Sequence, residues 1–210
     1  GFINVYYSGL MADEPAMRRF ADAHGIWFLA DCAHALTAEW QDATGAWQPC
    51  GAGLADVYCY SFYPNKTITT GDGGMALTRD PELAERMRRV RNHGLSFDTW
   101  EGEELPSWDR CVTMRGFKYT MTDIDAALGL TQLAQADALA DARRAIAARY
   151  RMALQEHPGI GVVPERAGKR SSYHLFPIRL LGQGGAPRNH VLDTLRARGV
   201  DCRVHWRPLH

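Results

Sequence analysis

The stretch Gly25-Ile26-Trp27-Phe28-Leu29-Ala30-Asp31-Cys32-Ala33-His34 decides the fold. Its five consecutive apolar residues, Ile26 to Ala30, suit a strand buried on both faces, as in parallel sheets. Gly25 is a good stop for a preceding helix. Upstream, Phe2 to Tyr6 reads as another short strand that leaves through a turn at Ser8-Gly9. Between the two strands, Asp13 can cap a helix with Pro15 in its first turn and apolar residues at Met17, Phe20 and Ala21. A right-handed crossover of this kind makes the two strands parallel neighbours. The opening is therefore α/β.

Downstream, residues 32–53 are polar and rich in turn formers, and Val57 to Phe62 is the next strand, stopped by Pro64. Gly71-Asp72-Gly73-Gly74 turns the chain into a returning strand, Met75 to Thr78. Pro81 to Asn92 follows as an amphipathic helix with Leu83, Met87 and Val90 on one face. Residues 94–116 show no periodicity and read as a long loop, a feature that is usually functional or interfacial. Thr122 with Asp125 three residues on is a capping-box pattern. The helical pattern then runs, with or without a break, to about Gln155, a length suited to joining two subdomains. The tail reads as strand (Ile160 to Val163), strand (His174 to Leu181), helix (Arg188 to Arg198) and strand (Asp201 to His205).

Composition removes several classes of function. Lys and Arg number 24 against 24 Asp and Glu, so there is no basic excess for nucleic acid or an anionic membrane. No apolar run approaches the roughly 20 residues that span a bilayer. Five scattered cysteines with no CxxC spacing fit a reducing cytoplasm, as small buried residues, better than a disulfide framework or a metal site. The chain starts and stops in strand-like runs without polar ends, so a piece of a longer protein is expected.

Three places carry candidate chemistry, all beside predicted strand ends or helix starts, where open α/β sheets bind ligands. Asp31 follows a fully apolar strand and would face a crevice, where it needs a cationic partner; the plain alternative is a helix cap. Lys66 sits on a Pro-stiffened turn after Ser61-Phe62-Tyr63-Pro64-Asn65, where desolvation would make the amine nucleophilic and able to form a Schiff base. There the plain alternative is a surface lysine. Ser61 could donate to a phosphate. Gly116 to Asp123 leads into a helix whose N-terminus is either an anion site or simply a capped start.

Taken in order, these motifs resemble the DegT/DnrJ/EryC1/StrS family. They are Asp31-x-x-His34, Ser61-Phe-x-x-x-Lys66, Gly71-Asp-Gly-Gly74 and Phe117-Lys-Tyr-Thr-Met-Thr-Asp-Ile124. Asn92-His93-Gly94, Ala126-Ala-Leu-Gly129, Ala147-Ala-Arg-Tyr150, Tyr173-His-Leu-Phe176 and Val204 to His210 continue the match across essentially the whole chain. The resemblance implies a pyridoxal 5'-phosphate (PLP) transferase fold of the aspartate-aminotransferase type. That fold has a large cofactor domain with a mostly parallel sheet, here residues 1–140, and part of a smaller α+β domain, residues 141–210. It also implies an aminotransferase acting on a nucleotide-linked keto-sugar with an amino acid donor such as glutamate. Lys66 would carry the cofactor as a Schiff base, and Asp31 would pair with its ring nitrogen. Ala33 would lie against the ring, His34 near its phenolic oxygen, and Ser61 on its phosphate. Members are usually homodimers with shared active sites. On that footing Lys118, Tyr119 and Thr120 reach across the interface, Thr120 towards cofactor and the other two towards substrate, with Tyr173 and His174 nearer the sugar nucleotide. Thr120 stands where many members carry Asn.

The resemblance also implies longer proteins, with an N-terminal segment that supplies half of the phosphate site, so this piece alone is expected to have little activity. Lys66 argues against the dehydratase members, in which a histidine replaces that lysine. A keto-cyclitol aminotransferase and a non-catalytic PLP-binding relative are the other readings.

Overall fold

The computed structural model describes residues 1–96, 99–100, 103–104, 108–182 and 187–206. The elements begin with β1 (Phe2–Val5), α1 (Glu14–Ala23), β2 (Phe28–Asp31), β3 (Glu39–Gln41), β4 (Trp47–Pro49), β5 (Val57–Ser61), β6 (Gly74–Leu77) and α2 (Pro81–Val90). Four two-residue strands follow, β7 (Leu95–Ser96), β8 (Thr99–Trp100), β9 (Glu103–Glu104) and β10 (Cys111–Val112). The last elements are α3 (Asp123–Leu133), α4 (Ala136–Leu154), β11 (Ile160–Val162), β12 (Lys169–Arg170), β13 (Ile178–Leu180) and α5 (Arg188–Ala197).

The central sheet has the order β1-β2-β5-β6, with β1/β2 and β2/β5 parallel and β5/β6 antiparallel. Register pairs Val5 with Asp31 and Asp31 with Cys59, so β1 and β2 end level with each other and β5 runs two residues further, to Ser61. The β2 strand starts at Phe28 rather than Ile26. The Ile26 amide closes the end of α1 by donating to the Ala21 carbonyl, and Trp27 is left 53% exposed. Tyr6, Phe28, Cys32, Tyr58, Phe62 and Ile68 form the core of this layer, each large apolar side chain contributing about 1.5–3 kcal/mol on burial.

The α1 helix begins as its sequence predicts, with Asp13 accepting from the Ala16 amide. Its next residue, Glu14, is fully buried. It accepts from Tyr6 Oη at 2.6 Å, Tyr58 Oη at 2.7 Å and the Leu54 amide at 2.8 Å. Three donors satisfy a carboxylate that burial alone would penalise heavily. Burial, and then the Glu14 charge, push both phenols well above the ordinary tyrosine range. Phe20, one of the apolar residues of that helix pattern, is 51% exposed and lies edge-on to Phe2.

The turn-rich stretch holds more order than its composition suggests. Strands β3 and β4 form a hairpin around Asp42, whose carboxylate accepts from Thr44 Oγ1, Gln48 Nε2 and the Thr44 and Ala46 amides. Those bonds lower its pKa to about 2. Strand β12 adds to this hairpin from far along the chain, pairing Lys169 with Trp40. The stretch read as a long loop contains two antiparallel pairs, β7/β10 and β8/β9; residues 97–98, 101–102 and 105–107 within it lie outside the described residues.

The long helical pattern is interrupted at Ala134-Gln135 between α3 and α4. Thr122 caps α3, accepting from the Asp125 amide at 3.2 Å and donating to its carboxylate at 2.7 Å. The expected strand from His174 to Leu181 is cut down to β13, which pairs with β11. Residues 171–174 are bound by side chains instead: Arg143 and Arg144 of α4 donate to the Tyr173 and Ser171 carbonyls. Arg144 also reaches the Thr37 carbonyl at 2.7 Å and Glu39 at 3.3 Å. The expected strand from Asp201 to His205 does not form; residues 201–206 have no ladder partner among the described residues. The final motif residues, 207–210, lie outside them.

The chain folds into two compact units, one of Gly1–Ile146 with Glu165–Phe176 and the other of Ala147–Pro164 with Pro177–His210. Residues 165–176 thus belong to the first unit although the chain has already entered the second. Among the described residues, no helix is long and apolar enough to cross a membrane, and no three His, Cys, Asp or Glu side chains are placed to hold a metal ion.

Candidate active site

The site grows from the common end of β2 and β5. No helix follows Asp31, so the cap reading does not apply. Its Oδ1 accepts from the Ala33 amide at 3.0 Å, a local turn that fixes the carboxylate at the strand end. Cys32 behind it points into the core with Sγ 3.4 Å from Cys50 Sγ. That contact and burial push its thiol far up, so it behaves as a small apolar residue.

Ser61 ends β5 opposite Gly74, and its Oγ accepts from the Tyr63 amide. Gly74 is needed there, because a Cβ would fall 2.5 Å from the Tyr60 carbonyl oxygen. The chain then makes a closed loop. Phe62 N donates to the Gly73 carbonyl at 2.9 Å, and the Phe62 carbonyl accepts from the Thr70 amide and Thr69 Oγ1. Thr67, Ile68 and Thr70 are buried, so the loop is anchored immediately after Lys66. Lys66 itself is half-buried, and its Nζ makes no hydrogen bond to another described residue. Desolvation lowers its pKa, and the Asp31 carboxylate partly opposes that shift. An acid and a desolvated amine that feel each other's charge therefore sit at the ends of neighbouring parallel strands.

His34 is buried, with Nδ1 accepting from the Ser8 amide at 3.2 Å. The His174 ring stacks obliquely on it at 4.3 Å, so two residues 140 positions apart in sequence meet beside Asp31. Tyr173 is half-buried and donates to Glu165 at 2.5 Å. Lys118, Tyr119 and Thr120 are arranged differently. Their strand-like segment is bound to the end of α2, with the Tyr119 amide donating to the Arg91 carbonyl and Lys118 bridged to Asn92. Their side chains stay in solvent: Tyr119 is 69% exposed and stacks on Phe117 at 5.1 Å. The segment nevertheless runs on to the Lys66 loop, where Met121 packs beside Gly73 and Thr70. Sequence reasoning took Ser8 only as a turn residue and passed over Ser172, whose hydroxyl donates to the His34 carbonyl. Only Ser8-Gly9 marked this place in the sequence, as a turn, and nothing local to Ser172 pointed to it.

The profile of the DegT/DnrJ/EryC1/StrS aminotransferase family matches residues 1–210. The spore coat polysaccharide biosynthesis protein SpsC of Bacillus subtilis is 32% identical over 211 residues, covering 99% of this chain and 53% of that protein. Among solved structures, Helicobacter pylori PseC, an aminotransferase involved in the biosynthesis of pseudoaminic acid, aligns with a TM-score of 0.87 at 29% identity, over 99% of this chain and 52% of that one. DesV of S. venezuelae aligns with a TM-score of 0.79 at 33% identity, over 95% and 48%. These neighbours have the fold of PLP-dependent sugar aminotransferases, and the chain spans about half the length of the relatives it matches. On the profile match over its whole length, the chain belongs to the DegT/DnrJ/EryC1/StrS aminotransferase family.

Proposed function

We propose that the protein carrying this chain is an aminotransferase that converts a nucleotide-linked keto-sugar to an amino-sugar, with an amino acid such as glutamate as donor. The observation that carries this reading is the Lys66 amine, desolvated and opposed to the Asp31 carboxylate. Enzymes of this family are PLP-dependent, and the donor set fits that cofactor: a primary amine with a lowered pKa, a fixed carboxylate, a small residue at Ala33 and a hydroxyl at Ser61. When bound, PLP supplies the electron sink for exchange of an amino group.

The chain's own residues then divide the work. Lys66 holds more neutral amine at a given pH than a free lysine, so it is the residue that would hold the cofactor and would move a proton at the substrate carbon. Asp31 would pair with the ring nitrogen and favour its protonated form. Ala33 would leave room for the ring, His34 would sit near its phenolic oxygen, and Ser61 would hold the phosphate. The exposed Lys118, Tyr119 and Thr120 serve the site of a second copy, in a cytoplasmic homodimer, and Tyr173 and His174 face the sugar nucleotide. The roles of SpsC in polysaccharide biosynthesis and of PseC in pseudoaminic acid biosynthesis support a sugar substrate.

The test is nitrogen transfer. With PLP, [15N]glutamate and a nucleotide-linked keto-sugar, the full-length protein should place 15N on the sugar with ping-pong kinetics. Label in a keto-inositol but in no nucleotide sugar would replace the substrate class, and a dehydrated sugar without nitrogen would overturn the reading.

A further inference from the structure

Three non-glycine residues among those described adopt left-handed backbone: Ser8 (φ 60°), His93 (φ 61°) and Tyr173 (φ 46°). Two of them flank a single pair of rings. Such strain persists only where surrounding contacts over-determine it, and it gathers at functional sites. The Ser8 turn aims its N–H at His34 Nδ1. The Tyr173 turn comes immediately before His174, whose ring lies against that of His34 at an inclination of 37°.

Both turns are braced and joined. Gly9 N donates to the Tyr6 carbonyl at 3.0 Å on one side. On the other, Tyr173 N donates to Ser171 Oγ at 3.1 Å while its carbonyl accepts from Arg143 Nη1 at 3.3 Å. Between them, the Ser172 amide donates to the Gly9 carbonyl at 3.2 Å, and the Ser172 hydroxyl donates to the His34 carbonyl. Only glycine fits at position 9: at φ 97° a Cβ would fall 1.9 Å from Ser172 Oγ and 2.9 Å from the His34 carbonyl oxygen.

A backbone amide can only donate, so Nδ1 of His34 must offer its lone pair. A neutral imidazole then carries its proton on Nε2. We propose that the Ser8 and Tyr173 turns form a clamp that holds His34 in the Nε2–H tautomer, making His34 a hydrogen-bond donor to whatever ligand occupies the site. Ser8, Gly9 and Ser172 are positioning residues that act through His34. Protonating Nδ1 would set two donors face to face and leave a buried amide without its acceptor. The identity of the acceptor, the phenolic oxygen of PLP, rests on the proposed function; the tautomer does not. A charged phenolate would strengthen the bond from Nε2.

The decisive experiment is 15N NMR of the full-length protein, with ring-labelled histidine assigned through His34→Gln, before and after addition of PLP at neutral pH. The clamp predicts an acceptor-type Nδ1 and a protonated Nε2 for His34 in both states. A protonated Nδ1 in either state overturns it. If the tautomer is as predicted but neither nitrogen responds to PLP, the clamp stands and the placing of His34 at the cofactor fails. Gly9→Ala should mix the two tautomers and weaken PLP binding about tenfold, the scale of one lost hydrogen bond. An unmixed tautomer in that variant counts against the clamp. Ser8→Ala keeps the amide and must keep the tautomer; loss of the tautomer there would assign the hold to the Ser8 hydroxyl instead.

Discussion

Of the three lysines in the chain, Lys66 and Lys169 are both half-buried with pKa values lowered first by desolvation, yet their surroundings differ. Lys169 is tied down: its Nζ donates to the Ala12 carbonyl at 2.6 Å and lies 5.9 Å from the centre of the Trp40 ring, near the charges of Asp13 and Glu14. Lys66 stands on the loop that follows β5, anchored behind it, with the Asp31 charge opposing its desolvation and no carbonyl bonded to its Nζ among the described residues. A depressed pKa thus accompanies both a structural strut and the amine proposed as the nucleophile. What separates them is whether an N–H of the amine is held by a backbone carbonyl, as Lys169 is by Ala12, which ties the nitrogen in place.

The sharpest break of that comparison is a pair of substitutions. Lys66→Ala should remove transamination to below detection, while Lys169→Met should retain it; equal losses would erase the distinction. Next in size, Asp31→Asn should lower turnover by about two orders of magnitude or more, the scale of a positioned acid–base group. In the cofactor-free protein the same change removes the Asp31 charge, which raises the Lys66 pKa, so that pKa should fall further. Competitive acylation against pH reads this directly, and an unchanged midpoint would show that the two groups do not interact.

On the Lys169 side the effects should appear as stability. Glu14→Ala strands two buried phenols and an amide, and should cost about 3 kcal/mol or more in urea unfolding, since each unsatisfied buried group costs about 1–3 kcal/mol. Lys169→Met loses one charged hydrogen bond and should cost about 1–2 kcal/mol. A Glu14 variant as stable as the parent would mean that solvent reaches the cavity.

The sequence made the site more legible than its supports. Asp31 and Lys66 were readable because strand-end position is local: an apolar run, then an acid, and an aromatic strand, then Pro and Lys. The caps at Asp13 and Thr122 were local in the same sense. Pairing of β12 with β3 was not, because Lys169 and Trp40 lie far apart in sequence and neither flank carries a strand pattern. Nothing local sets Glu14 apart from any first-turn acid, and the two phenols bonded to it come from Tyr6, just past β1, and Tyr58 of β5. Residues 171–174, leading into the expected strand, are held instead by four bonds to Arg143, Arg144, Gly9 and His34.

The central claim is that Lys66, and neither of the other two lysines, is the amine that holds the cofactor. Borohydride reduction of the PLP-loaded full-length protein, followed by peptide mapping, tests it most directly. The pyridoxyl label is predicted on Lys66 alone within this chain; label on Lys118 or Lys169, or undiminished label in Lys66→Ala, would contradict the account.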